Sequence, residues 1–131
     1  MSEIAHQWGA AAVGRHGDIE ADLLEPIGHE GPWLLQLSGK DWHFAFGVAG
    51  SSSVRELSKF VNEHAEREVF AEFRAGSFQA AEVFIVKDSE FADRFWLRIR
   101  DADQMAEVTI QAEDAVAFGK ALEDLLSDLA L

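Results

Sequence analysis

Apolar and polar residues alternate along Asp93–Arg100, and this alternation constrains the fold more than any other feature of the sequence. Phe95, Leu97 and Ile99 lie on one side of the pattern. The other side carries Arg94, Trp96, Arg98 and Arg100. A period of two is typical of a β-strand with one buried face. Because Ala81–Val86 is apolar on both sides, we predict a central strand there.

The segment 68–111 is predicted to hold four consecutive strands, with a turn at Gly76-Ser77, that lead into a long C-terminal helix at 112–129. Three earlier stretches alternate in the same way: Asp18–Leu24, Trp33–Leu37 and Trp42–Val48. Large apolar residues occupy one face of the third stretch, namely Trp42, Phe44, Phe46 and Val48. We expect this row to contribute most to the core, because each aromatic ring buries roughly 150–250 Å².

A second helix is predicted between these two groups of strands. Its apolar positions follow helical spacing and are Leu57, Phe60, Val61 and His64. Ser53 and Glu56 stand in the register of a capping box. Residues 2–13 are ambiguous, because helical spacing and an alanine run favour a helix whereas Gly9 opposes it.

Strands that follow one another through short turns pair antiparallel. The sequence therefore predicts an α+β fold with a curved antiparallel sheet of about six to seven strands. Two or three helices, including the long C-terminal helix, are expected to pack on one face of that sheet. The chain of 131 residues is long enough for one domain, and we predict a single domain over residues 1–131.

The net charge is −13, and most of it belongs to the two ends of the chain. Residues 1–39 carry six acids and one base, whereas residues 101–131 carry eight acids and one base. Phosphate backbones and anionic lipids repel such a surface, so neither nucleic acid nor membrane is an expected partner. A basic protein is the expected partner, although acidity also serves solubility.

The motifs that mark common active sites are missing from the sequence. The chain has no cysteine, and its five histidines are never paired at helical spacing for zinc. Residues 101–112 lack the glycine and the final glutamate of a calcium loop, and the glycine–serine run at 47–53 lacks the lysine of a phosphate loop. We therefore predict no catalytic residue, metal or cofactor. No signal peptide or membrane span is apparent, so a soluble cytoplasmic protein is expected.

Two candidate surfaces for a protein partner follow from these patterns. One is the polar side of the last alternating stretch, with Arg94, Trp96, Arg98 and Arg100, because exposed tryptophan and arginine are typical of interface centres. The other is acidic and combines Asp18, Glu20 and Asp22 with Glu123, Asp124 and Asp128. An alternative for the first surface is that a terminal helix covers the tryptophan while the arginines neutralise Glu72, Glu82 and Glu107.

The function that these observations favour is a non-enzymatic, acidic protein-binding module that engages a basic protein, as an inhibitor, an immunity protein or a chaperone does. One alternative is a ligand-binding or enzymatic domain with a pocket between sheet and helices, lined by Trp33, Trp42, Phe44 and Phe46. Another is a structural subunit that self-associates into a homo-oligomer through a sheet edge or the Trp96 face.

Overall fold

The structure, a computed structural model, describes residues 7–28, 31–65, 70–78, 81–87, 94–100 and 105–129. These residues form eight strands and two helices: β1 (Gln7–His16), β2 (Ile19–Ile27), β3 (Trp33–Ser38), β4 (His43–Val48), α1 (Ser51–His64), β5 (Ala71–Phe78), β6 (Ala81–Lys87), β7 (Phe95–Arg100), β8 (Met105–Ile110) and α2 (Ala112–Leu129). The predicted α+β class, the antiparallel sheet and the long C-terminal helix are confirmed. The described strands number eight instead of six or seven.

The strands lie in one sheet in the order of the sequence, and each is antiparallel to its neighbours. Four strands and a helix are followed by four strands and a helix, so the chain uses one pattern of elements twice. We call β1–β4 with α1 the first half and β5–β8 with α2 the second half. The ladder between β4 and β5, which joins the two halves, is short. In it Gly47 lies opposite Ser77.

The core lies on the side of the sheet that receives alternate residues of each strand. Phe95 and Leu97 are fully buried there, as the alternation of this stretch predicts. The Phe95 ring lies 6.4 Å from the Phe118 ring of α2 in an edge-on arrangement. Buried residues of α1, such as Leu57, belong to the same cluster. Both helices therefore pack into the core that the inner faces of the strands supply.

Helix α2 belongs to the second half by sequence but packs on β1 of the first half. A Cβ atom at Gly14 would overlap the carbonyl oxygen of Ala121 and the backbone nitrogen of Leu125. Glycine is thus required for the close approach of the helix to the strand. Near the end of the helix, Asp128 Oδ2 accepts a hydrogen bond of 2.9 Å from the backbone N–H of Val13. The side chain of Asp128 therefore satisfies a donor on the outer edge of β1.

Lys87 lies at the end of β6 and is fully buried on the core side of the sheet. Its Nζ donates a hydrogen bond of 3.2 Å to the carbonyl oxygen of Ala65, which caps the C-terminus of α1. The ammonium also lies 4.9 Å from the centroid of the Phe95 ring. A cation at a helix C-terminus and over an aromatic face is stabilised by the helix dipole and by the ring quadrupole.

The helix that the alanine run favours within residues 2–13 is wrong for residues 7–13, which belong to β1. Pairing with β2 decides the conformation, because it satisfies the backbone of a segment whose helix propensity alone is a weak preference. A register shift between Ala10 and Ala12 accommodates the irregular pattern. Residues 1–6 lie outside the described part of the chain.

Three smaller predictions also differ from the structure. Gly76-Ser77 is not a turn but part of β5, where glycine lets the backbone approach Gly47 of β4. Helix α1 begins at Ser51 after Gly50 and has no side-chain cap, so the capping box at Ser53 is wrong. Strand β2 continues through Pro26, which lies opposite Trp8 near the edge of the sheet. The polar residues 88–93 are predicted as a hairpin loop and residues 101–103 as a turn, and both segments lie outside the described residues.

Candidate functional site

Arg98 and Arg100, two of the three arginines predicted for one binding surface, form ion pairs on the outer face of the second half. Arg100 binds Glu72 with two hydrogen bonds, of 2.6 Å and 3.2 Å. Arg98 Nε donates a hydrogen bond of 2.8 Å to Glu107 Oε2. These pairs cross from β7 to β5 and to β8, so they use the arginines to neutralise acids of other strands. This agrees with the alternative interpretation for two of the three predicted acids.

The third predicted acid, Glu82, pairs instead with Arg74, at 3.2 Å. The aromatic residues of the outer face lie beneath arginines. The Arg100 guanidinium lies 4.4 Å from the centroid of the Phe84 ring, and that of Arg98 lies 5.9 Å from Trp96. Trp96 is half-buried, on the opposite side of the sheet from the core residues that contact α2. The outer face of the second half is therefore a network of paired charges.

The acids of β2 form a row on the outer face of the first half. A turn at Gly17, with φ of 60°, joins β1 to β2 and leaves Asp18 exposed at the tip. Arg15 on β1 donates a hydrogen bond of 2.9 Å from Nε to Glu20. This hydrogen bond is the largest cause that lowers the pKa of Glu20. Within the described residues, no ion pair joins Asp22 to a cation.

Asp22 has an altered affinity for its proton. Partial burial is the largest cause that raises the pKa of Asp22, to about 6, and the neighbouring Glu20 raises it further through a hydrogen bond and its negative charge. Arg15 opposes this rise but does not cancel it. The ionised form of Asp22 is thus disfavoured in the folded protein, first because partial burial removes water from the carboxylate and then because Glu20 lies beside it.

Acids of β2 and of α2 lie on the two sides of strand β1. Val13 lies opposite Asp22 in the β1–β2 ladder and donates its N–H to Asp128 of α2. Asp124 is one helical turn before Asp128 and lies on the same side of the helix. We call Glu20, Asp22, Asp124 and Asp128 the acidic rim. Among its carboxylates, only that of Glu20 forms an ion pair with a described cation.

The remaining predicted site residues lie elsewhere. Glu123 is exposed but lies about 140° around the helix from Asp128, given 3.6 residues per turn, so it does not join the acidic rim. Asp18 lies beyond the rim, at the tip of the hairpin. Arg94 precedes β7 and is half-buried.

A cleft that the sequence did not reveal lies between the hairpin tips and β8, and we call it the tip cleft. Its volume is about 740 Å³. Asp18, Lys40, Asp41 and Trp42 form one wall, and Glu107, Val108, Thr109, Gln111, Asp114 and Ala117 form the other. The indole Nε1 of Trp42 is buried beside Gly39 and has no hydrogen-bond acceptor among the described residues. No sequence motif links these positions, because they come from four separate segments.

The pocket expected from Trp33, Trp42, Phe44 and Phe46 does not gather these residues around one space. Phe44 and Phe46 pack in the core with ring centroids 5.8 Å apart. Trp42 lines the tip cleft, whereas Trp33 and Phe46 lie beside a separate cleft of about 300 Å³. The aromatic row is thus largely core, as its alternation predicts.

The described ranges contain neither a metal-binding cluster nor a membrane-spanning helix. Within them, no three histidine, aspartate or glutamate side chains are placed to share a metal ion. Neither of the two described helices combines the length and the apolar composition needed to cross a bilayer. Comparison of the chain with protein-family models, with curated proteins and with solved structures finds no match.

Proposed function

We propose that the protein is a non-enzymatic, cytoplasmic protein-binding module that engages a basic protein partner through the acidic rim. The observation that carries the proposal is that carboxylates without an ion pair to a described cation flank the edge strand β1 at Val13: Asp22 lies opposite Val13 on β2, and Asp128 of α2, 115 residues away in the chain, accepts the N–H of Val13. A lysine or arginine of a partner would supply the positive charge that this part of the surface lacks.

The raised pKa of Asp22 supports the same proposal. Its ionised carboxylate is partly buried and lies close to Glu20, and both conditions disfavour the charge, so folding stability gains nothing from it. A cation placed against Asp22 would relieve that cost on binding. The outer face of the second half offers no such gain to a partner, because Glu72, Glu82 and Glu107 are already paired with arginines.

Inhibitors, immunity proteins and chaperones of basic targets are the functional classes that this surface fits. Association should be fast and sensitive to salt, because exposed charges steer the encounter and are screened by ions. A small number of rim contacts would then determine the affinity.

The proposal is tested with a rim variant that carries Asp22→Asn, Asp124→Asn and Asp128→Asn. Asparagine keeps a side-chain oxygen at position 128 that can accept the Val13 hydrogen bond, so the fold is preserved. The matched control carries Glu56→Gln, Glu63→Gln and Glu123→Gln, which removes the same charge from exposed positions outside the rim.

Each tagged protein is incubated with extract of the source cells at low and high salt, and the captured proteins are quantified by mass spectrometry. The unmodified chain and the control are expected to retain the same basic protein at low salt and to release it at high salt, whereas the rim variant loses it. Equal capture by all three proteins, or capture of no basic protein, would show that the acidic rim is not the binding surface.

A further inference from the structure

We propose that the tip cleft binds an extended basic segment of a protein, which pairs with the edge of β8 that no described strand occupies and directs lysine or arginine side chains at the carboxylates of the cleft. The proposal rests on the proposed function only in taking the partner to be a basic protein, since the tip cleft and the acidic rim involve different residues.

The first argument is the position of β8 in the sheet. β8 is the last strand of the order and pairs with β7 on one side, and no described strand pairs with its other side. In an antiparallel ladder every second residue directs its N–H and C=O away from the neighbouring strand. The outer edge of β8 therefore presents backbone groups to which an extended chain can hydrogen-bond, as in strand addition.

The second argument is the direction in which the cleft runs. Glu107, Val108 and Thr109 are consecutive residues of β8, and all three line the tip cleft. Because consecutive side chains of a strand point to opposite faces, a cleft that touches all three follows the edge of the strand and not one face. Its volume of about 740 Å³ lies within the range of established ligand sites, roughly 300–1,000 Å³.

The third argument is charge. The described lining residues include four carboxylates, from Asp18, Asp41, Glu107 and Asp114, and one ammonium, from Lys40. Glu107 is paired with Arg98, but Asp18 and Asp41 are exposed at the hairpin tips and form no ion pair with a described cation. A cationic side chain that enters from a segment on β8 would face these two carboxylates across the cleft.

Trp42 supplies the apolar part of the same wall. Its indole N–H is buried and has no acceptor among the described residues, so these residues leave one polar group of the wall unsatisfied. The aromatic ring can also stabilise a nearby cation through its quadrupole. An arginine or lysine side chain combines the apolar stem and the positive charge that such a wall accommodates.

The test uses nuclear magnetic resonance of the full chain at low salt, with a decapeptide of alternating lysine and valine as the probe. A decapeptide of alternating glutamate and valine serves as the control. The basic peptide is expected to shift the backbone amide signals of β8 and the indole signal of Trp42 in a saturable manner, whereas the acidic peptide leaves them unchanged.

The variant Asp18→Asn with Asp41→Asn is expected to weaken binding of the basic peptide by roughly fivefold, since each exposed charge pair contributes only modestly to affinity. The control variant Glu56→Gln with Glu63→Gln carries the same change of net charge outside the cleft and should retain the affinity.

Shifts confined to β1 and α2 would overturn the tip-cleft proposal and leave the acidic rim in place as the binding surface. Shifts at β8 that persist at equal strength with the acidic peptide would overturn the charge argument, and with it the proposal. If the basic peptide shifts no signal, the tip cleft does not bind basic segments, while the capture experiment with the rim variant still decides the proposed function.

Discussion

The two halves of the molecule have the same succession of elements, but their outer faces differ in how completely the carboxylates are paired with arginines. In the second half, Arg74, Arg98 and Arg100 are each paired with a glutamate of a neighbouring or nearby strand. In the first half, Arg15 neutralises Glu20, and Asp22 is left without a described cation. Where the charges of a face are paired, they are already neutralised in the free protein. Where carboxylates are unpaired, binding of a cation adds favourable electrostatic free energy.

The halves also differ in what covers their edge strands. β1 at one edge of the sheet is held against α2, and Asp128 accepts the outward N–H of Val13. β8 at the other edge has no described strand beside it and borders the tip cleft. One edge is thus covered by the chain's own helix, whereas the other is the edge at which we propose that a partner binds.

The largest expected effect concerns the contact that holds the second half's helix on the first half. Gly14→Ala should lower the free energy of unfolding by about 3 kcal/mol, because the new methyl group would overlap backbone atoms of α2, which cannot move aside as a side chain can. Denaturant unfolding followed by circular dichroism measures the loss. Val13→Ala changes the adjacent, exposed residue and should cost less than about 1 kcal/mol. An equal loss in both variants would contradict the close helix–strand contact.

A smaller effect is expected from the unpaired carboxylate of the first half. The pKa of Asp22 is raised to about 6 in the folded protein, so the folded state holds a proton that the unfolded state releases near pH 4. Stability should therefore fall as the pH rises from about 4 to 6 and stay reduced above that range. Asp22→Asn removes this loss and should stabilise the protein at pH 7.5 by about 1–2 kcal/mol, a figure lowered for partial exposure.

Thermal and denaturant unfolding at several pH values measure this pH dependence. Asp41→Asn serves as the control, because it removes one negative charge at an exposed position of the first half. If Asp22→Asn leaves the pH dependence between 4 and 6 as it is in the unmodified chain, the description of Asp22 as a disfavoured charge is wrong.

The smallest effect is expected for single ion pairs of the second half. A double-mutant cycle with Arg100→Met and Glu72→Gln should give a coupling energy of about 0.5–1 kcal/mol at low salt, because the pair is bidentate and partly shielded. High salt should reduce the coupling. The cycle for Arg74 and Glu82, whose side chains are 57% and 55% exposed, should give a smaller coupling energy. The reverse order of the two couplings would contradict the role of burial in this network.

The parts of the fold that follow from short-range patterns were predictable. Alternation with a period of two identified the stretches around β2, β3, β4 and β7, and the apolar spacing of residues 112–129 gave the bounds of α2. The same parity placed Glu72 and Glu107 correctly as partners of the β7 arginines. These features depend on residues two to four positions apart, which the sequence displays directly.

The parts that were missed depend on contacts between distant segments. Residues 7–13 become a strand because β2 pairs with them, although their alanines favour a helix. Gly76 serves a close approach to β4 rather than a turn. Lys87 is fully buried because its ammonium contacts the end of α1 and the Phe95 ring. No pattern in the sequence indicates these two contacts.

The sequence by itself determined the α+β class, the alternating faces of most strands, the helical face of α2 and the concentration of acid at the two ends of the chain. Only the tertiary structure decided that β2 and α2 bring their acids to opposite sides of Val13, and that β8 faces the hairpin tips across a cleft. The physical reason is the separation along the chain of the residues that interact. Local conformation and burial patterns arise from neighbours along the chain, whereas a site arises where the register of the sheet and the packing of a helix bring distant segments together.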